Sequence, residues 1–142
     1  MAQGKFIHFK RKFILILAVV TGCCYGQSSM KGNEYILTGE IIHNFALPAH
    51  CGVIAWGTVI EFKITSFTDT KYTAKEIGIV FTCPEFYGPD FFRTGGKYEV
   101  QLSDENQASF GWVIINEDKL NQYSPGYIPY AISAKRLDIT SK

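Results

Sequence analysis

From residue 34 onward, apolar and polar residues alternate with a period of two, and that alternation predicts strands. Tyr35 to His43 sets Tyr35, Leu37, Ile41 and His43 on one side. Val53 to Phe67 is long and β-rich. In its second half Ile60, Phe62 and Ile64 oppose Glu61, Lys63 and Thr65, whereas its first half is apolar on both faces. Gly57, between the halves, reads as a bulge or sharp bend. Tyr72 to Cys83 repeats the pattern with Ile77, Ile79, Phe81 and Cys83 on one face. Tyr98, Val100 and Leu102 mark the next strand, Phe110, Trp112 and Ile114 another, and Ile128 to Ile139 closes the series.

Turn chemistry separates these runs. Thr68-Asp69-Thr70 reads as a hairpin loop, Thr94-Gly95-Gly96 opens the fourth strand, and Ser103 to Gln107 is a polar loop. Two short stretches read as helical. One lies within Pro84 to Arg93 and is broken by Pro89. The other is Asn116 to Tyr123, with Asn116 as N-cap and Leu120 on the buried side. Three strands, a short link, then two or three more strands predict an all-β domain. The expected form is a small OB-like β-barrel with one or two short helical links. The alternative is an immunoglobulin-like β-sandwich, whose Cys–Trp–Cys spacing is loosely imitated here, with Trp56 very near Cys51.

The N-terminus has a different pattern. Lys5, Lys10, Arg11 and Lys12 precede an apolar run, Phe13 to Val20, and then small residues and Cys23-Cys24. A positive head, a short apolar centre and a small-residue exit make an export signal. The run is far shorter than the ~20 residues a membrane-spanning helix needs. Two cuts compete. Val20-Thr21-Gly22-Cys23 has the form of a bacterial lipobox, with cleavage before Cys23 and lipidation of Cys23. Cys24-Tyr25-Gly26 has the form of an ordinary signal-peptidase site, which would leave Gln27 first. The expected organisation is a signal peptide over 1–26, a flexible tether over 27–33 and a single barrel domain over 34–142. The expected location is the bacterial periplasm, the outer membrane or the extracellular space, with membrane attachment through lipid if Cys23 is modified.

Removing the leader changes the charge. Four of the 14 Lys and Arg lie in 1–26, leaving ten against 13 Asp and Glu, a formal −3. The remaining charges are scattered without a basic stripe, which argues against nucleic-acid binding. Two cysteines remain after Gly26, Cys51 and Cys83. In an oxidising compartment an isolated pair reads as one disulfide. Closing a loop of about 33 residues would stabilise the fold by roughly 3–4 kcal/mol. A reduced functional pair, or a metal site drawn from His43, His50, Cys51 and Cys83, stands beside that reading, although no Cys-x-x-Cys knuckle supports it.

Two segments, Cys51-Gly52-Val53-Ile54-Ala55-Trp56-Gly57-Thr58-Val59-Ile60-Glu61-Phe62 and Cys83-Pro84-Glu85-Phe86-Tyr87-Gly88-Pro89-Asp90-Phe91-Phe92, resemble a group of small exported proteins of Bacteroidota type. The resemblance implies export and a β fold, and no activity. Gly96-Lys97-Tyr98-Glu99-Val100 resembles the glycine-then-tyrosine strand start of netrin-like and tissue-inhibitor domains, which are disulfide-bonded OB barrels. Their many further cysteines are absent here.

Candidate binding residues concentrate in the Pro- and Gly-rich stretch after Cys83. Phe86, Tyr87 and Phe91 would contact a protein partner or small-molecule ligand, with Glu85, Asp90 and Arg93 supplying polar contacts. Alternatively Phe86, Phe91 and Phe92 plug one barrel end while Tyr87 shields the disulfide. Trp56 and Trp112 read either as a sugar-stacking platform or, on the apolar faces of their strands, as core. Tyr123, Tyr127 and Tyr130 surround Pro125, Gly126 and Pro129 and read either as bracing the last turn or as an exposed binding cluster. Catalytic signals are thin. His50–Cys51 is the one Cys–His candidate, no Gly-x-Ser-x-Gly elbow occurs, and Gly95-Gly96-Lys97 lacks phosphate-loop spacing. Glu85 and Asp90 form a carboxylate pair by type alone. No cofactor motif and no metal-ligand spacing stands out, so the chain reads as a non-enzymatic binding protein. A Cys/His-centred metal protein or enzyme is the alternative.

Overall fold

In the computed structural model, which describes residues 32–45, 47, 50–123 and 126–137, the alternating runs pair into one closed sheet. Its elements are β1 (Glu34–Ile41), β2 (Trp56–Phe67), β3 (Glu76–Thr82), a 3-10 turn (Pro84–Tyr87), β4 (Lys97–Ser103), β5 (Val113–Ile115), a second 3-10 turn (Glu117–Gln122) and β6 (Tyr130–Arg136). The ring runs β1-β4-β6-β3-β2 and closes by the pairing of β1 with β2. Counting β6 as the fifth wall strand, this is the strand order of an OB barrel. Closure in a single ring, rather than two stacked sheets, replaces the sandwich alternative. The short β5 lies outside the ring, parallel to the start of β2.

The period-two pattern explains the core. Leu37 and Ile41 from β1, Ile60 and Phe62 from β2, Ile77, Ile79 and Phe81 from β3, and Tyr98, Val100 and Leu102 from β4 all point inward and are buried. Each full burial is worth roughly 1.5–3 kcal/mol. A second, smaller cluster lies outside the wall, where Leu120 of the second 3-10 turn covers Val59 and Val80.

Several expected details fall differently. The long strand begins at Trp56, and Val53 and Ile54 are exposed in the preceding loop, where Gly52 N–H donates to Ile54 O at 3.4 Å. Gly57 holds regular register opposite Thr82, without a bulge. It serves a close approach instead, because a Cβ there would sit 3.3 Å from Val80 Cγ1. Bulges occur elsewhere: Thr38 and Gly39 pair with Ser66 and Ile64, and Gln101 and Leu102 pair with Ser133 and Ala131. His43 lies beyond the end of β1, and the strand expected at Phe110 shrinks to Val113–Ile115. The 68–70 hairpin loop forms, with Lys71 N–H donating to Asp69 Oδ1 at 2.9 Å.

The expected leader over 1–26, Cys23 and most of the tether lie outside the described residues. Of the last two tether residues, Gly32 and Asn33, the second is pinned rather than loose. Asn33 donates its backbone N–H and its side-chain Nδ2–H to Asp104 at 2.7 and 2.9 Å. These bonds hold the Asp104 carboxyl below its ordinary range, with the Asn33 side chain the largest cause.

Candidate functional site

The barrel end nearest the starts of β2 and β4 is closed by covalent and aromatic means. Cys51, before β2, is bonded to Cys83, after β3, with Cα atoms 5.5 Å apart. Cys83 adopts a left-handed conformation (φ 44°, ψ 53°), rare for a residue with a Cβ and of order 1–3 kcal/mol above an ordinary one. The disulfide and a hydrogen bond from Cys83 N–H to Trp56 O (3.0 Å) hold it there. Pro84 then starts the 3-10 turn, where its missing N–H is not needed.

That turn sorts the six expected binding residues. Phe86 points outward and is 76% exposed. Tyr87 and Phe91 turn in and join Phe92 over Phe81 and Tyr98, with ring centroids 4.8–5.8 Å apart for the Tyr87–Phe91, Tyr87–Phe92, Phe91–Phe92, Phe81–Phe92, Phe91–Tyr98 and Phe92–Tyr98 pairs. The plug is therefore Tyr87, Phe91 and Phe92. Phe86, expected in it, is replaced by its neighbour, because the first turn carries successive side chains to opposite sides. Burial raises the Tyr87 pKa, partly offset by a hydrogen bond to the Ala134 backbone. Tyr98 anchors the plug through its hydroxyl, which donates to Phe91 O (2.7 Å) and accepts from Arg93 N–H (2.8 Å).

Glu85 turns toward the disulfide. Its Oε1 accepts the Cys51 backbone N–H, and its buried Oε2 has no partner among the described residues. Asp90 and Arg93 remain exposed and pair with each other at 3.4 Å, a contact worth ~0–1 kcal/mol. Cys51, Cys83 and Glu85 bring three ligand-type atoms together, yet both sulfurs are spent in the disulfide and offer no thiolate. His50 is exposed, and His43 sits against Glu61 instead. The expected Cys/His set is thus not assembled in this structure.

A cluster unforeseen in the sequence surrounds Glu61 on the outer face of β2. Glu61 is only 5% exposed and lies opposite Gly78, whose missing Cβ leaves room for the Tyr123 ring. The Tyr123 hydroxyl donates to Glu61 Oε1, and His43 Nδ1 and Lys119 Nζ approach Oε2 at 3.3 and 3.7 Å. Burial first, then the bond to Glu61, pushes the Tyr123 pKa far above its ordinary value. Asn116 locks the same segment from the side. Its left-handed backbone frees the amide to bond Val59 N–H and C=O at 3.1 and 3.2 Å, extending the β5–β2 ladder by a side chain. It holds the N-cap position that the sequence suggested, but without a side-chain capping bond. The signal available in the sequence was Val59 and Val80, apolar on what alternation makes the wet face.

Trp56 and Trp112 are both half-buried, and neither belongs to the buried core clusters, contrary to the core reading. Trp112 lines a cavity against Tyr130 and Ile132, and Trp56 does not. Comparisons with family models, curated proteins and solved structures returned no match to the chain.

Proposed function

We propose that this chain is an exported, non-enzymatic binding module, a small barrel that docks on another protein through its disulfide-stapled end. The observation that carries the reading is a group of large apolar side chains left in solvent around one cross-link. Val53 and Ile54 follow Cys51 by two and three residues, Phe86 follows Cys83 by three, and all are exposed. Exposed Val113 lies beside them, since its N–H donates to Ala55 O at 2.9 Å. Such patches on small proteins mark interaction sites, and the staple removes most of the ordering entropy that a contact would otherwise cost.

A protein surface fits this patch better than a small molecule. The cavities at Trp112, Tyr127, Tyr35 and Ser133 are lined by none of these four residues. Asp90 and Arg93, exposed in the linker that follows Phe86, would supply polar contacts. The leader read from residues 1–26 puts the module in the periplasm, on the outer membrane or outside the cell, tethered by lipid if Cys23 is modified.

The test is a photo-crosslinking amino acid at position 86 of the full chain, expressed in a cell that exports it. A discrete heterologous adduct, lost on Val53→Ser plus Ile54→Ser and absent when the label sits at Lys71, is the expected result. Only diffuse adducts, or adducts with a second copy of the chain alone, would overturn the reading.

A further inference from the structure

The barrel wall has one seam. Around the ring every neighbouring pair of strands shares at least five register positions except β3 and β6, which run parallel and meet only at Val80 and Tyr130. There Val80 N–H donates to Pro129 O at 2.9 Å. The cause of the break lies in β6. Gln101 pairs with Ser133 and Leu102 with Ala131, so Ile132 is an extra residue bulged out of the antiparallel ladder. The next parallel rung, Thr82 against Ile132, does not form. Both residues instead line a cavity between the parted strands.

A roof is built over the gap by the loop after β4. Asn106 Oδ1 accepts from Trp112 Nε1 (3.1 Å) and Ala108 N–H (3.0 Å), and Asn106 Nδ2 donates to Phe110 O (2.8 Å). Gln107 Nε2 donates to Ser103 Oγ at 2.7 Å. One asparagine therefore fixes the indole of Trp112 and the turn that carries it. The lining comprises Trp112, Tyr130 and Ile132 as apolar surface and Thr82, Asn106 and Gln107 as polar groups, with no charged side chain.

We propose that this seam binds a neutral sugar, one pyranose ring lodged between β3 and β6 with its C–H face on Trp112. The chemistry selects that class. An aromatic surface held in place by its own N–H bond offers a platform for aliphatic C–H groups. Thr82 brings a side-chain hydroxyl to the lining, and a hydroxyl both donates and accepts, as the hydroxyls of a sugar ring do. The amides of Asn106 and Gln107 are engaged in holding the roof, and the lack of a cation or a carboxylate in the lining disfavours sugar acids, phosphates and amines. The site is mostly apolar and carries few polar groups, as ligand sites do. It shares no lining residue with the stapled rim, although Thr82 and Trp112 adjoin Cys83 and Val113 in the chain, and it stands whether or not that rim binds protein.

The experiment titrates the full chain with cellotriose, maltotriose and chitotriose, following backbone amide shifts and tryptophan emission, with glucuronate as the charged control. At least one neutral trisaccharide should give saturable shifts at Thr82 and Ile132, with a dissociation constant on the order of 1 mM or tighter. Ala108→Trp, which fills the cavity, should abolish them, and Trp112→Ala should weaken them at least tenfold. Trp56→Phe should leave them unchanged. Because Trp112→Ala removes a roof contact, Thr82→Val serves as a second variant and should weaken binding several-fold in a barrel whose amide spectrum is otherwise intact. Absence of saturable shifts with all three sugars, equal binding of glucuronate, or full binding by Ala108→Trp would overturn the proposal.

Discussion

The two ends of the barrel are both closed by aromatic rings, but on different terms. At the stapled end Phe81, Tyr87, Phe91, Phe92 and Tyr98 form a dense group inside a frame set by Cys51–Cys83. The single deeply buried hydroxyl there, on Tyr98, both donates and accepts. At the opposite end Tyr35, Phe67, Tyr72 and Tyr127 make a chain of tilted and edge-on contacts at 5.6–5.9 Å, with no cross-link among the described residues. Tyr72 donates to Glu76 O at 2.7 Å, whereas the buried Tyr127 hydroxyl has no partner among the described residues. Ring packing is weakly directional, so it closes an end well only where something else fixes the backbone. The first end has a covalent fixture and a satisfied hydroxyl. The second relies on loops and retains an unmet polar group.

The largest effect that would sharpen this contrast is removal of the staple. Cys51→Ser with Cys83→Ser should lower unfolding stability by about 3–4 kcal/mol, read as a drop in urea midpoint, with the loosening concentrated at Phe91 and Phe92 in hydrogen exchange. A loss spread evenly to Tyr35 and Tyr127 would break the comparison. Next in size, Tyr98→Phe should cost about 1–2 kcal/mol, because it strands the Phe91 carbonyl and the Arg93 N–H in a partly buried place. Smaller again is an alkaline effect confined to the tyrosine end. Burial, the leading cause, raises the Tyr127 pKa strongly and that of Tyr35 as well. An unfolded tyrosine ionises near pH ~10. Stability is therefore full below about pH 10 and declines as pH rises further toward the raised folded values. Denaturation midpoints measured across that range should fall less steeply in Tyr127→Phe than in the parent. The smallest change should be Tyr127→Phe at neutral pH, within about 0.5 kcal/mol of the parent or slightly stabilising, since it removes an unpaired hydroxyl from a buried place.

Alternation made the inner wall legible. Leu37, Phe62, Ile79 and Val100 are all where a period of two puts them, because one buried face fixes register without outside help. The same logic failed where a loop folded back. Glu61 reads as a wet residue by parity, and the turn carrying Lys119, Leu120 and Tyr123 buries it. Nothing local to Glu61 announces that cover. Only apolar Val59 and Val80 on the same face hint at it. Val53 and Ile54 mislead in the opposite sense, as β-branched residues exposed in the loop between Cys51 and the strand. The choice between Phe86 and Tyr87 for the plug was invisible for another reason. It depends on the phase of a four-residue 3-10 turn entered from a left-handed cysteine, and hydrophobicity carries no phase over so short a span.

The cross-link has one more outcome, seen when a protease cuts the chain. Cys51 and Cys83 bracket all of β2 and β3, so the exposed hairpin tip at Thr68 to Lys71 lies inside a covalent ring. A cut at that tip would leave both fragments joined by sulfur, with the antiparallel ladder from Gly57–Thr82 to Lys63–Glu76 still zipped. The nicked form should migrate as two pieces only after reduction, and should keep its folded shape until then.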